Sequence, residues 1–240
     1  MNNMAETFNT RALILNRFVY REYDSRVTVY TFDFGKIDLL ARGAQRLGSK
    51  LAAHIEPLSL VDLMIIKGKR TDYIGSSIVS DAYSGIKGDL ARLPSAGSAL
   101  FAFNRLVKPG ERDEELFNLL LEFLKILDER PDRADWLLSA WSLKFLATLG
   151  YQPELYHCLG CKKRLEPEVN HFSVMRGGVF CADCSRAESD LELVTENNIK
   201  MLRLVLSHSL NDLVNLRAES KVFDKVNSLV KNLLNFYLKN

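Results

Sequence analysis

No stretch of this sequence is apolar enough to cross a bilayer, which takes a run of about 18 residues or more. The richest candidate, residues 116–127, is interrupted by Glu122 and Lys125. A secretory leader is not expected either: residues 1–10 are polar, have neither a basic start nor an apolar centre, and run into an alternating strand-like pattern. No membrane partner is expected, and the expected compartment is the cytoplasm. An excess of one charge is also absent. The 32 Lys and Arg against 30 Asp and Glu leave a net charge of +2. Residues 1–80 hold 11 basic against 8 acidic side chains, residues 81–157 hold 9 against 12, and residues 158–240 hold 12 against 10. A polyanion would have to be met by a local patch rather than by the field of the whole chain.

Two signatures of nucleotide and acyl-transfer enzymes are lacking, the Gly-x-Gly-x-x-Gly loop and the Gly-x-Ser-x-Gly elbow. Residues 43–50 nearly imitate a phosphate-binding loop, but that motif needs Lys directly after its second Gly, and here Ser49 stands between Gly48 and Lys50. His54, Ile55 and Glu56 match half of a deaminase motif by letters alone, far from any cysteine.

What is there suffices for a packed core: 47% of the 240 residues are hydrophobic and 26% charged, with no repeat or low-complexity tract. The first third reads as β structure. Residues 12–20, 26–34, 37–41, 58–66 and 73–80 are strand-like, rich in β-branched and aromatic side chains, with a turn at Gly35 and Lys36. Five short strands in about 80 residues suit a small barrel, the OB-fold being one common form. The period then turns helical. Ser95 can cap a helix through Val107; Leu116, Leu119, Leu120, Phe123, Leu124 and Leu127 recur at helical spacing; and Asp132 can cap a helix ending at Gly150. Thr195 can cap a further helix, and an apolar stripe from Val222 to Tyr237 marks the last. The predicted architecture is α+β: a β-barrel domain at 1–80 and a helical bundle at 81–240, interrupted by an insert at about 157–186.

Only four cysteines occur, and all lie in that insert as two Cys-x-x-Cys pairs, Cys158 with Cys161 and Cys181 with Cys184, with 19 residues between the pairs. This spacing suits one tetrahedral zinc ion, because each turn aims two thiolates at a common point. Disulfides or unpaired thiols are the alternatives; a reducing compartment disfavours the first, and the paired spacing disfavours the second. Four thiolates close the shell, leaving no position for a reactive water, so the zinc is read as structural and the protein as non-catalytic.

The basic residues of the barrel region gather in two connections. Lys36, Arg42, Arg46 and Lys50 lie in and before one, Lys67, Lys69 and Arg70 in the other. OB-fold loops grip nucleic acid through such cations on phosphates and through aromatic rings under bases, for which Tyr20, Tyr23, Tyr30 and Phe32 are candidates as well as candidates for the core. DNA and RNA would be met by the same loops.

Read in order, these pieces resemble the RecO family of bacterial recombination mediators. The resemblance rests on Tyr20, Glu22 and Asp24, Gly35 and Lys36, residues 41–44 with Ser49, Glu56, Pro57 and Leu58, Gly68 and Lys69, residues 116–120, residues 149–151 with Pro153, Phe172 and Ser173, Gly177 and Gly178, and both cysteine knuckles. It covers about the first 185 residues. Lys162 stands where the family commonly has Gly after the first knuckle. The resemblance implies an N-terminal OB-fold, a helical domain with a zinc module, and binding of single- and double-stranded DNA near the bacterial nucleoid. It further implies strand annealing, partnership with RecR and with the acidic tail of SSB, and through them loading of RecA. For the tail, the helix over 132–149 with Arg133 and Lys144 is the predicted receiver, its aromatics Trp136, Trp141 and Phe145 being alternatively core.

Overall fold

The computed structural model describes residues 6–240; residues 1–5, the start of the polar leading segment, lie outside them. Contacts divide the chain into two compact units, Met1–Asn118 and Leu119–Asn240.

The first unit is built on a closed barrel of five strands, β1 (Thr7–Val19), β2 (Ser25–Thr31), β3 (Gly35–Ala41), β4 (Leu60–Ile66) and β5 (Tyr73–Asp81), in the order β1-β2-β3-β5-β4. This is the expected OB-fold. β1 is long enough to serve both edges, pairing with β4 through residues 7–13 and with β2 through residues 12–19. An irregularity between Ile14 and Asn16 bends it from one partner to the other, as a bulge does when a sheet must close on itself. Closure on the far side is slight, a single parallel pairing of Leu40 with Tyr73. Alternate residues point inward, and Ile14, Val27, Val29, Leu39, Val61, Leu63 and Ile65 fill the interior with Ile55, each buried aliphatic chain contributing about 1.5–3 kcal/mol. Between β3 and β4 lies one helical turn, α1 (Lys50–Ala53).

Beyond the barrel, α2 (Ser84–Lys87) leads to α3 (Leu93–Leu106). The rings of Tyr30 and Phe103 meet edge to face at 4.8 Å, and the Tyr30 hydroxyl accepts from the Asp113 amide at 3.0 Å. Gly35, with φ +64°, is required here, since a Cβ would fall on the Glu111 carbonyl. These interactions tie the segment after the barrel to it, and the contact division falls inside α4 (Glu114–Glu129). Ser95 does not cap α3, which starts two residues earlier over Pro94; Asp113 caps α4 through the Leu116 amide at 3.0 Å.

The second unit centres on α5 (Ala134–Thr148). Asp132 sits in a 3-10 turn, Pro131–Arg133, and not at the cap. After α5 come a small sheet, β6 (Asn170–Ser173), β7 (Gly178–Phe180) and β8 (Leu191–Val194) in the order β7-β6-β8, with a helical turn α6 (Ala182–Ser185) between the last two. Three helices close the chain: α7 (Glu196–Ser207), capped by Thr195 and Asn198 in a reciprocal box, α8 (Leu210–Val214), and α9 (Ser220–Lys239). α5 touches α7, α8 and α9, so it is apolar almost all round. No helix among the described residues is long and apolar enough to cross a membrane.

Candidate nucleic-acid interface and metal centre

Three connections meet at one end of the barrel. The β1–β2 turn is tied to the β3–α1 loop by Asp24, which accepts from the Gly43 amide at 2.9 Å, and by the Gln45 amide donating to the Tyr23 carbonyl at 2.9 Å. The β4–β5 loop joins through the Leu40 amide, which donates to the Asp72 carbonyl at 3.0 Å. Three tyrosines there, Tyr20 and Tyr23 of the β1–β2 turn and Tyr73 at the start of β5, have a guanidinium against the ring: Arg21 at 5.1 Å from Tyr20, Arg46 at 5.1 Å from Tyr23, and Arg42 at 4.2 Å from Tyr73. Tyr20 and Tyr23 remain 49% and 46% exposed. Arg42, Arg46, Lys50, Lys69 and Arg70 are exposed and enter no ion pair among the described residues. The result is a positively charged, aromatic surface, with cations free for phosphates and rings free for bases. The loop that imitates a phosphate cradle does not act as one, because its amides at Gly43, Gln45, Arg46 and Ser49 are taken up by protein acceptors.

The four cysteines converge in the second unit. Their Sγ atoms all lie within 4.8 Å of one another, and Cys161 and Cys181 are 3.9 Å apart, close to the sulfur–sulfur separation of about 3.8 Å that a tetrahedron with 2.3 Å metal–sulfur bonds requires. The backbone clamps the group: the Cys181 amide donates to the Cys158 sulfur at 3.3 Å. Gly160 is required, since a Cβ there would meet the Cys184 sulfur at 2.9 Å. Burial pushes the Cys158 thiol up, but the amides of Cys181, Cys161 and Gly160 outweigh it and bring the group down to about 6. Sulfur hydrogen bonds from Cys181 and Cys158 push Cys184 up to about 12. One thiolate thus forms readily, while four can coexist in so small a volume only around a cation. The residues present fit a metal ion.

The family models described as "Recombination protein O N terminal" and "Recombination protein O C terminal" match residues 4–83 and 88–240. The chain belongs to the RecO family. Several similar proteins are each named "DNA repair protein RecO". That of Roseiflexus sp. (strain RS-1) is 31% identical over 97% of this chain and 80% of its own. That of Thermoanaerobacter sp. (strain X514) is 26% identical over 96% and 92%. That of Anaeromyxobacter sp. (strain Fw109-5) is 35% identical over 77% and 73%.

Among the predicted contacts of this RecO-family chain, Lys36 does not belong to the surface. It is only 9% exposed and its ammonium donates to the Asn104 carbonyl at 2.6 Å, which fixes α3 to β3. Burial lowers its pKa, partly offset by Asp38. Lys67 is at the surface but pairs with Asp72 at 3.0 Å, stiffening the loop that carries Lys69 and Arg70. Tyr30 is wholly buried and serves the core; Phe32 is half-buried, edge-on to Phe117 at 5.7 Å, with the Arg112 guanidinium 5.5 Å from its ring. On α5, Trp136, Trp141 and Phe145 are buried, the last two stacked at 4.7 Å. They are core, so α5 supplies no aromatic pocket; Arg133, in the turn before it, lies 5.6 Å from the Phe223 ring, and Lys144 is half-buried and engaged.

Arg17 was invisible to sequence reasoning. Its guanidinium donates to the carbonyls of Ala44 and Ala52, to Ser25 and to Glu56, the last at 2.8 Å. From the barrel wall it holds both ends of the loop that presents Arg42 and Arg46. Arg17→Ala is expected to loosen that loop and to lower DNA affinity several-fold with little change in salt slope, since no phosphate contact is removed. A parallel drop in the slope would show that Arg17 itself reaches DNA.

Proposed function

We propose that this chain is a non-catalytic, DNA-binding recombination mediator. On this reading it binds single- and double-stranded DNA, anneals complementary strands and, with RecR, helps load RecA onto DNA coated with SSB in the bacterial cytoplasm. Membership of the RecO family supports the setting in DNA repair. The observation that carries the DNA-binding step is the barrel end where exposed Tyr20 and Tyr23 stand among Arg21, Arg42 and Arg46. The four-cysteine group would hold one zinc ion, which supplies a fixed fold to the helical unit and no chemistry on a substrate.

Annealing of SSB-coated complementary strands by the purified chain without nucleotide is the test. Annealing is expected; its absence, together with no DNA binding at low salt, would sink the reading. Equal or tighter binding of matched RNA, with sensitivity to the 2′-hydroxyl, would favour an RNA-binding factor instead. The acidic SSB tail is placed on residues 81–240, with Arg133 and Lys144 as its nearest candidate cations; because the α5 aromatics are core, its apolar end must seat off that helix. A labelled tail peptide titrated against the full chain and its Lys144→Ala variant would show whether that cation participates.

A further inference from the structure

The metal module carries cations that neither the metal nor the barrel surface accounts for. Lys162, Lys163 and Arg164 are consecutive, exposed, and enter no ion pair among the described residues. The module's other basic residues are neutralised locally, Arg176 by Glu188 at 3.3 Å and Arg186 by Asp183 at 3.6 Å. Glu166 and Glu168 follow on the chain and bound the cationic stretch. The arm is held in shape by backbone bonds, the Cys158 amide to the Lys163 carbonyl at 2.8 Å and the Leu165 amide to the Tyr156 carbonyl at 2.9 Å, with His157 bridged to Arg164. Lys162 takes φ +62°, a left-handed conformation uncommon for anything but Gly, Asn or Asp. A lysine therefore occupies a position where glycine would fit without strain.

Beside these cations lies a prepared ring. Arg203 on α7 is anchored by donating to the Leu155 carbonyl through Nε at 3.1 Å, and its guanidinium lies 4.4 Å from the centre of the Tyr156 ring. Tyr156 nevertheless stays 47% exposed. A ring supported on one side by a fixed guanidinium and open to solvent loses little freedom when a base stacks on it. An aromatic platform next to unpaired cations is the combination that single-stranded nucleic acid engages, the ring taking a base and the cations taking phosphates.

We propose that the metal module is a second contact for single-stranded nucleic acid, with Tyr156 stacking on a base and Lys162, Lys163 and Arg164 on the backbone. It goes beyond the barrel surface, and it shares with that reading only the premise that the chain binds DNA. The test uses the full chain, metal-loaded, and an oligo-dT strand carrying 5-iodo-deoxyuridine. Photocrosslinking is expected at Tyr156 as well as on the barrel loops. Replacing Lys162, Lys163 and Arg164 together by Ala should lower the salt slope of oligo-dT binding by up to about 2, at roughly 0.7 for each phosphate no longer neutralised. Tyr156→Phe should keep the crosslink and Tyr156→Ala should lose it. Metal content, measured alongside, separates a missing nucleic-acid contact from an unfolded module. Crosslinks confined to barrel peptides, or an unchanged slope in the triple variant, would overturn the proposal. So would a triple variant that loses binding only to an acidic peptide, which would assign the patch to a protein partner. Absence of any oligo-dT binding by the unaltered chain would instead sink the DNA-binding function itself.

Discussion

Removing the metal from the full chain is expected to unfold the region from Leu155 to Val194 while leaving the barrel strands intact. The metal is the tie between its two knuckles, and what surrounds them is small. Its three strands are short, four, three and four residues, and strands of that size are not stable without a packed partner or a staple. Its knuckles bury Cys158 and leave Cys161 exposed, and the small apolar cluster of Leu155, Phe172, Val179, Phe180 and Val194 does not by itself fix the two knuckle turns if the metal leaves. Structural zinc contributes an apparent 10–16 kcal/mol or so in isolated fingers, and most of that appears as folding energy. Metal analysis should find about one zinc per chain, and chelation or Cys181→Ser should release it. Backbone exchange should then accelerate in β6, β7 and β8 and leave β1 to β5 protected. Acid should act in the same direction, because protons compete with the metal for the thiolates. Retained protection of the small sheet after complete chelation would mean that the four cysteines are not a structural metal site.

Replacing Arg42, Arg46 and Lys50 together by Ala is expected to weaken duplex binding by an order of magnitude or more at physiological salt. The slope of log affinity against log salt should fall by up to about 2.7, at roughly 0.9 for each phosphate contact. The geometry supports the two arginines most directly, since the rings of Tyr73 and Tyr23 hold their guanidiniums at the barrel end. Lys36→Met makes the opposite pattern. Its ammonium holds α3 through the Asn104 carbonyl, so its loss should lower thermal stability and leave the salt slope untouched. A salt slope unchanged in the triple variant would return those three side chains to the role of solvated surface.

The split between Arg42 and Lys36 shows where reading residues in order stops. Both are cations in the same stretch of sequence, and charge counting treats them alike. Only the docking of α3 on β3 decides that one is buried and the other is free. Tyr30 and Tyr23 divide in the same way: both belong to the β1–β3 region, yet one ring faces Phe103 and the other faces solvent. Arg17 carried no signal at all, because its four acceptors come from residues 8 to 39 positions away and exist only once the barrel has closed.

Local information sufficed for the rest. The five strands of the barrel lie where β-branched and aromatic residues cluster; the helical spacing of leucines marks α4; Thr195 caps its helix; and the two Cys-x-x-Cys turns converge on one point. These features depend on neighbours within a few residues, or on a ligand chemistry with a single geometry. The caps at Ser95 and Asp132 failed for a matching reason: Pro94 already opens α3 and a 3-10 turn precedes α5, so the side chains that could have capped were left inside the turn. Sequence alone determined the family, the two-part architecture and the grouping of the cysteines. The tertiary structure decided which cations are free, which rings are open and which helix is core, because exposure belongs to the packed chain and not to any residue taken by itself.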